Sequence, residues 1–179
     1  MTSSRYLPKA SALAAMLALV GGTATATAAP LPGGASSLVE TYDDWGVVCQ
    51  MQANAPSCLA RQVQTSNQTK QTVLAVEIGK ATDGKFRGAL VLPLGLALPQ
   101  GAQLKIDDAV LGNTLPFSTC LPEGCLVPLT FEADTIAKLR TGKALNVTVS
   151  AASPAQPLAL AVSLKGLAGA LNRIADLTK

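Results

Sequence analysis

Histidine is absent from the 179-residue sequence. That absence removes Ser-His-Asp and Cys-His catalysis, histidine general-base chemistry and the common zinc ligand sets together. Aromatic residues are few (one Trp, two Tyr, three Phe), so there is no platform on which bases could stack. Charge is sparse: 14 Lys and Arg against 11 Asp and Glu give +3. So weak a field does not attract nucleic acid, which is excluded as a partner. Neither cysteine pair has the Cys-x-x-Cys spacing that a redox-active dithiol wants.

What is present begins with a leader. Arg5 and Lys9 precede an apolar run over residues 10–22, and residues 23–29 are small, with Ala26-Thr27-Ala28 as the expected cleavage signature. That order is the secretory-signal pattern, and the run falls short of the ~20 residues a spanning helix requires. Residues 1–28 are read as a signal peptide, with an uncleaved membrane anchor as the alternative. No cysteine lies near the cleavage site to take a lipid. Taking 28 residues from 179 leaves 151, one ordinary domain. Loss of Arg5 and Lys9 leaves 12 basic groups against 11 acidic ones, net +1. No transmembrane span remains after cleavage, and a near-neutral exported envelope protein is expected.

Four cysteines in an exported chain point to disulfides. The chain is organised around residues 115–128, where Cys120 and Cys125 flank Leu-Pro-Glu-Gly. Pro122 presets one dihedral and Gly124 relieves steric limits, so a tight turn brings both cysteines within reach. Three pairings are open. The local one, Cys49 with Cys58 and Cys120 with Cys125, is expected because each pair spans a turn-rich insert. Closing loops this short contributes roughly 2–3 kcal/mol each. A zinc site would want two close CxxC-type pairs. No metal and no cofactor are expected, and all four cysteines are assigned to structure.

Residues 29–38 read as a flexible lead-in, too rich in Pro and Gly to pack, and residues 39–179 as the domain. Trp45, Val47, Cys49 and Met51 recur at period two, with Trp45 in the core, and residues 58–66 form the return strand. After a polar turn over 64–71, Thr72, Leu74, Val76 and Ile78 mark another strand. Asp83-Gly84 is a hairpin signal before residues 86–92. Pro93-Leu94-Gly95 and Pro99-Gln100-Gly101 break the chain. Leu104 and Ile106 face inward, with Lys105 and Asp107 outward. Residues 125–131 follow the pinch, and Asp134 is placed to cap a short helix over 135–140 that Gly142 ends. Leu145, Val147 and Val149, then Leu158, Leu160, Val162 and Leu164, alternate as strands. A last helix over 167–177 carries Leu167, Leu171, Ile174 and Leu177 on one stripe. Some eight strands with one-sided alternation predict an all-β fold, an antiparallel two-sheet β-sandwich with a short helix and a C-terminal helix; a closed barrel is the alternative.

Candidate chemistry is thin. Ser163 and Lys165 would share a strand face, but no Ser-x-x-Lys exists, and the pairs Asp43-Asp44 and Asp107-Asp108 point to opposite faces if they lie in strands. Thr141-Gly142-Lys143 lacks the rest of a phosphate loop. The two glycosylation sequons, at Asn67 and Asn146, are coincidental in a bacterial envelope protein. Lys80, Lys85 and Arg87 ring the Asp83-Gly84 hairpin as a basic tip for an anionic headgroup or polysaccharide, or simply as charges that resist edge aggregation. Arg61 beside Cys58 is a candidate anchor for a carboxylate ligand or a surface partner for an acid.

Several of these pieces, in this order, resemble the bacterial invasion-associated locus B family: Trp45-Gly-Val-Val-Cys49, Cys58-Leu-Ala-Arg-Gln62, Leu92-Pro-Leu-Gly95, Ile106-Asp107, Pro116-Phe117 with Cys120-Leu-Pro-Glu-Gly-Cys125, and Val162-Ser-Leu-Lys-Gly166. The resemblance implies a periplasmic or outer-membrane-associated β-sandwich, linked in pathogens to host-cell entry, with the four cysteines and Trp45 as framework. It supplies no catalytic residues. The expected function is a non-enzymatic envelope protein that binds another surface component, whether protein, lipid or glycan. The alternatives are a small-molecule carrier with an apolar cavity between the sheets, and a hydrolase working without histidine.

Overall fold

A computed structural model describes residue 1, residues 31–81 and residues 83–179 of the chain; the signal peptide expected over 1–28 lies, but for its first residue, outside the described residues. The strands are β1 (Ser37–Tyr42), β2 (Trp45–Gln52), β3 (Ala55–Thr65), β4 (Thr72–Lys80), β5 (Phe86–Leu92), β6 (Gln103–Ile106), β7 (Ala109–Val110), β8 (Thr119–Leu121), β9 (Gly124–Phe131), β10 (Ala144–Ala152) and β11 (Ala155–Ser163). Two helices, α1 (Ala133–Thr141) and α2 (Leu167–Leu177), flank the last two strands. A seven-stranded sheet runs β1-β2-β3-β4-β5-β9-β8 and a four-stranded sheet runs β11-β10-β6-β7, with every pairing antiparallel. Both sheets and both helices share one apolar core. The two-sheet sandwich expected from alternation is the architecture found.

Alternation became structure wherever it was long enough to bury a face. Trp45, Val47 and Cys49 on β2, Leu74, Val76 and Ile78 on β4, and Leu145, Val147 and Val149 on β10 are all buried. α2 lays Leu167, Ala170, Leu171 and Ile174 against β1 to β4, so the layer opposite the large sheet is part strand and part helix. The Asp83-Gly84 hairpin joins β4 to β5, with Gly84 at φ +79 and the Asp83 carboxylate accepting the Lys85 N–H at 3.1 Å.

Some details differ from expectation. Eleven strands stand where some eight were expected: β1 and the two-residue β7 are additional, and the near arm of the Cys120–Cys125 pinch is the three-residue β8. The lead-in packs rather than hanging free: Leu31 is fully buried, Ala35 and Leu38 rest against the same core, and Ser37 and Leu38 already belong to β1. α1 begins one residue before Asp134, with Glu132 at the N-cap position; Asp134 sits in the first turn, where its charge suits the positive end of the helix. Asp107 does not simply face outward. It takes φ +50, and its carboxylate accepts the N–H groups of Lys143 (3.0 Å) and Ala144 (3.0 Å), fastening the β6–β7 turn to the start of β10.

Both local disulfides are present, Cys49–Cys58 and Cys120–Cys125. Each joins residues directly opposite in register, across β2–β3 and β8–β9. The Met51 N–H donates to Ser36 O, so hydrogen bonds between β1 and β2 fall at Leu38–Cys49, Glu40–Val47 and Tyr42–Trp45. Cys49 therefore turns its backbone groups toward β1, and its pairing with Cys58 is a non-hydrogen-bonded one, consistent with a Cα separation of 4.1 Å. Such positions bring side chains closest together, which is what a direct bridge needs.

Candidate functional site

The four basic candidates do not form one constellation. Lys80, Lys85 and Arg87 share the β4–β5 hairpin, while Arg61 lies on β3 directly opposite Glu77. Arg61 Nε meets Glu77 Oε1 at 3.2 Å. Lys85 Nζ meets Glu132 Oε1 at 2.6 Å, and that hydrogen bond pushes the lysine above its ordinary pKa. Arg87 pairs with Asp83. Among the described residues only Lys80 of the four has no carboxylate within ion-pair distance. A tip whose cations are matched by neighbouring acids attracts an anionic surface far less than its basic residues alone suggest.

Ser163 and Lys165 are brought together and then separated by acids. The Ser163 hydroxyl donates to Asp44 Oδ2 at 2.6 Å, while Lys165 Nζ sits 3.1 Å from Asp43 Oδ1. The bond to Asp43 raises the lysine pKa. A lysine that activates serine must lose its proton near neutrality, so its pKa has to move the other way. What these groups do instead is seat the β1–β2 turn on the start of α2.

The same corner closes one edge of the sandwich. β11 has a partner on one side only, and its far side would expose a row of carbonyls. Trp45 Nε1 and Gln62 Nε2 both donate to Ser163 O, at 2.8 and 3.0 Å, and Gln64 Nε2 donates to Ala161 O at 2.7 Å. Side chains of β2 and β3 thus satisfy the last two outward carbonyls of a strand that no other strand pairs on that side. Beside them, Arg173 on α2 clasps Glu40 on β1 through two bonds, 2.8 and 2.7 Å, and the Tyr42 hydroxyl donates to the same carboxylate at 2.9 Å.

The Arg173 hydrogen bond holds the Glu40 carboxyl below the ordinary glutamate range, outweighing the opposing effect of burial. A depressed folded-state pKa adds stability above the unfolded-state value, and that stability drains away as pH falls through the folded value. Stability measured by urea unfolding should therefore decline at acid pH from the normal glutamate range downward. Glu40→Gln should be less stable than wild type near neutrality and show a shallower decline. Parallel profiles for the two proteins would contradict this role for Glu40.

A feature that alternation could not reveal lies at the end of the large sheet where β5 ends and β9 begins. Leu94 is 57% exposed and Leu121 48% exposed. At this end a cleft of about 420 Å³ is lined by Gln71, Thr72, Pro93, Leu94, Pro122 and Glu123. Leu121 and Pro122 belong to the hairpin that Cys120–Cys125 locks, so one wall of this cleft is covalently braced. The available signal was leucine next to turn-forming proline, in Pro93-Leu94 and Leu121-Pro122. Among the described residues, no group of three or more metal-binding side chains occurs.

Comparison with known proteins places this geometry. Residues 45–175 match the family described as "Invasion associated locus B (IalB) protein". An invasion protein B homolog of Brucella abortus (strain 2308) is 53% identical over 155 residues, covering 87% of this chain and 89% of the relative. The invasion protein B of Bartonella bacilliformis is 34% identical over 153 residues, covering 84% of this chain and 82% of the relative. The crystal structure of invasion associated protein b from Bartonella henselae superimposes with a TM-score of 0.73 at 34% identity, covering 79% of this chain and 97% of that one.

Proposed function

The chain belongs to the invasion-associated locus B family, and from that premise we propose that it is an exported envelope protein without enzymatic activity, periplasmic or outer-membrane associated, that binds another surface component. The observation that carries this reading is the disulfide-locked β8–β9 hairpin, which exposes Leu121 and sets Pro122 across a cleft from Leu94 on a braced scaffold. Bridges of this kind persist where thiols are oxidised. Exposed apolar side chains held on a rigid tip suit capture of a partner better than turnover. The commitment of Ser163 to Asp44 and of Lys165 to Asp43 supports the absence of a serine nucleophile. The names of the relatives tie the family to invasion, which a surface of this kind would serve; the partner class is an envelope protein, lipid or glycan.

The carrier reading gains no observation, because Trp45, Leu74, Leu90, Leu104 and Leu145 are all fully buried in one core. Cell fractionation with N-terminal sequencing tests export, with a start at Ala29 in the envelope fraction expected. A photo-crosslinking residue at position 121 then tests binding: one recurrent adduct is expected, lost when the crosslinker is moved to a core-facing or helix position. A protein confined to the cytoplasm, or one labelled by an activated-serine probe, would sink the proposal.

A further inference from the structure

We infer that β1 is a pairing edge for a second copy of this chain, forming a twofold dimer centred on Val39. The hydrogen-bonded positions between β1 and β2 fall at Leu38, Glu40 and Tyr42, so the alternate residues Ser37, Val39 and Thr41 turn their N–H and C=O groups away from β2. β1 is the terminal strand of the seven-stranded sheet, and none of these groups takes a backbone bond from another element among the described residues. The edge also lacks the usual protections: no proline, lysine or bulge interrupts it, and its one charge, Glu40, is held by Arg173. β11, by contrast, has two of its outer carbonyls, those of Ser163 and Ala161, taken by side-chain donors.

The spacing of the free groups is self-complementary. An antiparallel copy with the twofold at Val39 sets Val39 against Val39, Ser37 against Thr41 and Thr41 against Ser37. All three are positions that exchange both bonds, so every open group on the edge is satisfied. On the outer face, register already aligns Val39 with Val48 on β2 and Leu59 on β3. Pairing would continue that apolar row into its symmetry mate and cover Val39, which is 72% exposed in the single chain. The facing pairs, valine on valine and serine on threonine, are favourable cross-strand combinations, and no like charges meet directly.

Sedimentation equilibrium of protein recovered from cells with both disulfides intact tests the inference. Wild type should reach twice the monomer mass as concentration rises. Val39→Pro deletes an N–H that the β1–β2 ladder does not use, so the fold should stand while the dimer dissociation constant rises at least about tenfold, equivalent to ~1.4 kcal/mol. Val39→Lys, which leaves the backbone untouched but sets two ammonium groups face to face, should give the same loss. Under mild oxidation Val39→Cys should crosslink to itself, and Val63→Cys, on the same sheet face away from the edge, should not. A wild type that stays monomeric throughout overturns the inference and leaves the edge to an extended segment of another protein. A dimer that survives both Val39→Pro and Val39→Lys, or that crosslinks through Val63→Cys instead, overturns it equally.

Discussion

Replacing Gly166 with alanine should destabilise the protein by about 4 kcal/mol, the sum of a strained backbone and an overpacked contact. Gly166 stands at φ +91, and a Cβ there would fall 1.9 Å from Tyr42 O. The oxygen belongs to the backbone at the end of β1, beside the turn that Ser163 and Lys165 hold through Asp44 and Asp43. It cannot move without disturbing Glu40 and Tyr42 on the same strand. Gly95 is the control: its φ is +83, but nothing lies within 4 Å of an added Cβ. Gly95→Ala should lose only the backbone component, about 1 kcal/mol. Thermal unfolding separates the two, with a drop of roughly 10–15 °C for Gly166→Ala. Equal losses at the two sites would mean that β1 and α2 are less tightly joined than the contact to Tyr42 implies.

Trp45→Ala should cost about 3–5 kcal/mol, in the range for emptying a buried aromatic site. Trp45→Phe should cost much less, about 1–2 kcal/mol, for a reason specific to this corner. Ser163 O accepts from Trp45 and also from Gln62, so removing the indole donor leaves the carbonyl with a partner. Taking both donors away, as Trp45→Phe with Gln62→Leu, strands the carbonyl at the β11 edge. The pair should therefore lose more than the two single changes together, by about 1 kcal/mol or more in a double-mutant cycle. Strict additivity would show that water serves that carbonyl as well as the side chains do.

Much of this fold could be read along the chain because its long strands alternate cleanly and its turns carry Asp-Gly, Pro and Gly. Both bridges could be read too, since each closes across a single hairpin. β1 could not. Its inner face is Leu38, Glu40 and Tyr42, and a charge in the middle of a buried face breaks the pattern. The cation that makes Glu40 acceptable is Arg173, 133 residues later. The acids that answer the basic candidates were hidden for a related reason: Lys85 meets Glu132 and Arg61 meets Glu77, partners that only strand pairing brings close. β7 and β8 are too short for any period to register. Asp107 looked like an outward residue of a strand, and its carboxylate turns out to fasten the next strand's backbone.

The separations within the two bridges, nine and five residues, bear on how the chain matures. Each ring closes inside one hairpin, whereas β5 must wait for β9 and β6 for β10. An oxidase meeting the polypeptide as it emerges could complete both bonds before any of those distant strands met. A crossed linkage such as Cys58 with Cys120 spans about twelve times the shorter ring, and at about 0.6 kcal/mol per doubling it is disfavoured by roughly 2 kcal/mol. Maturation would then need little thiol reshuffling, and the slow step would be the docking of one finished layer onto the other.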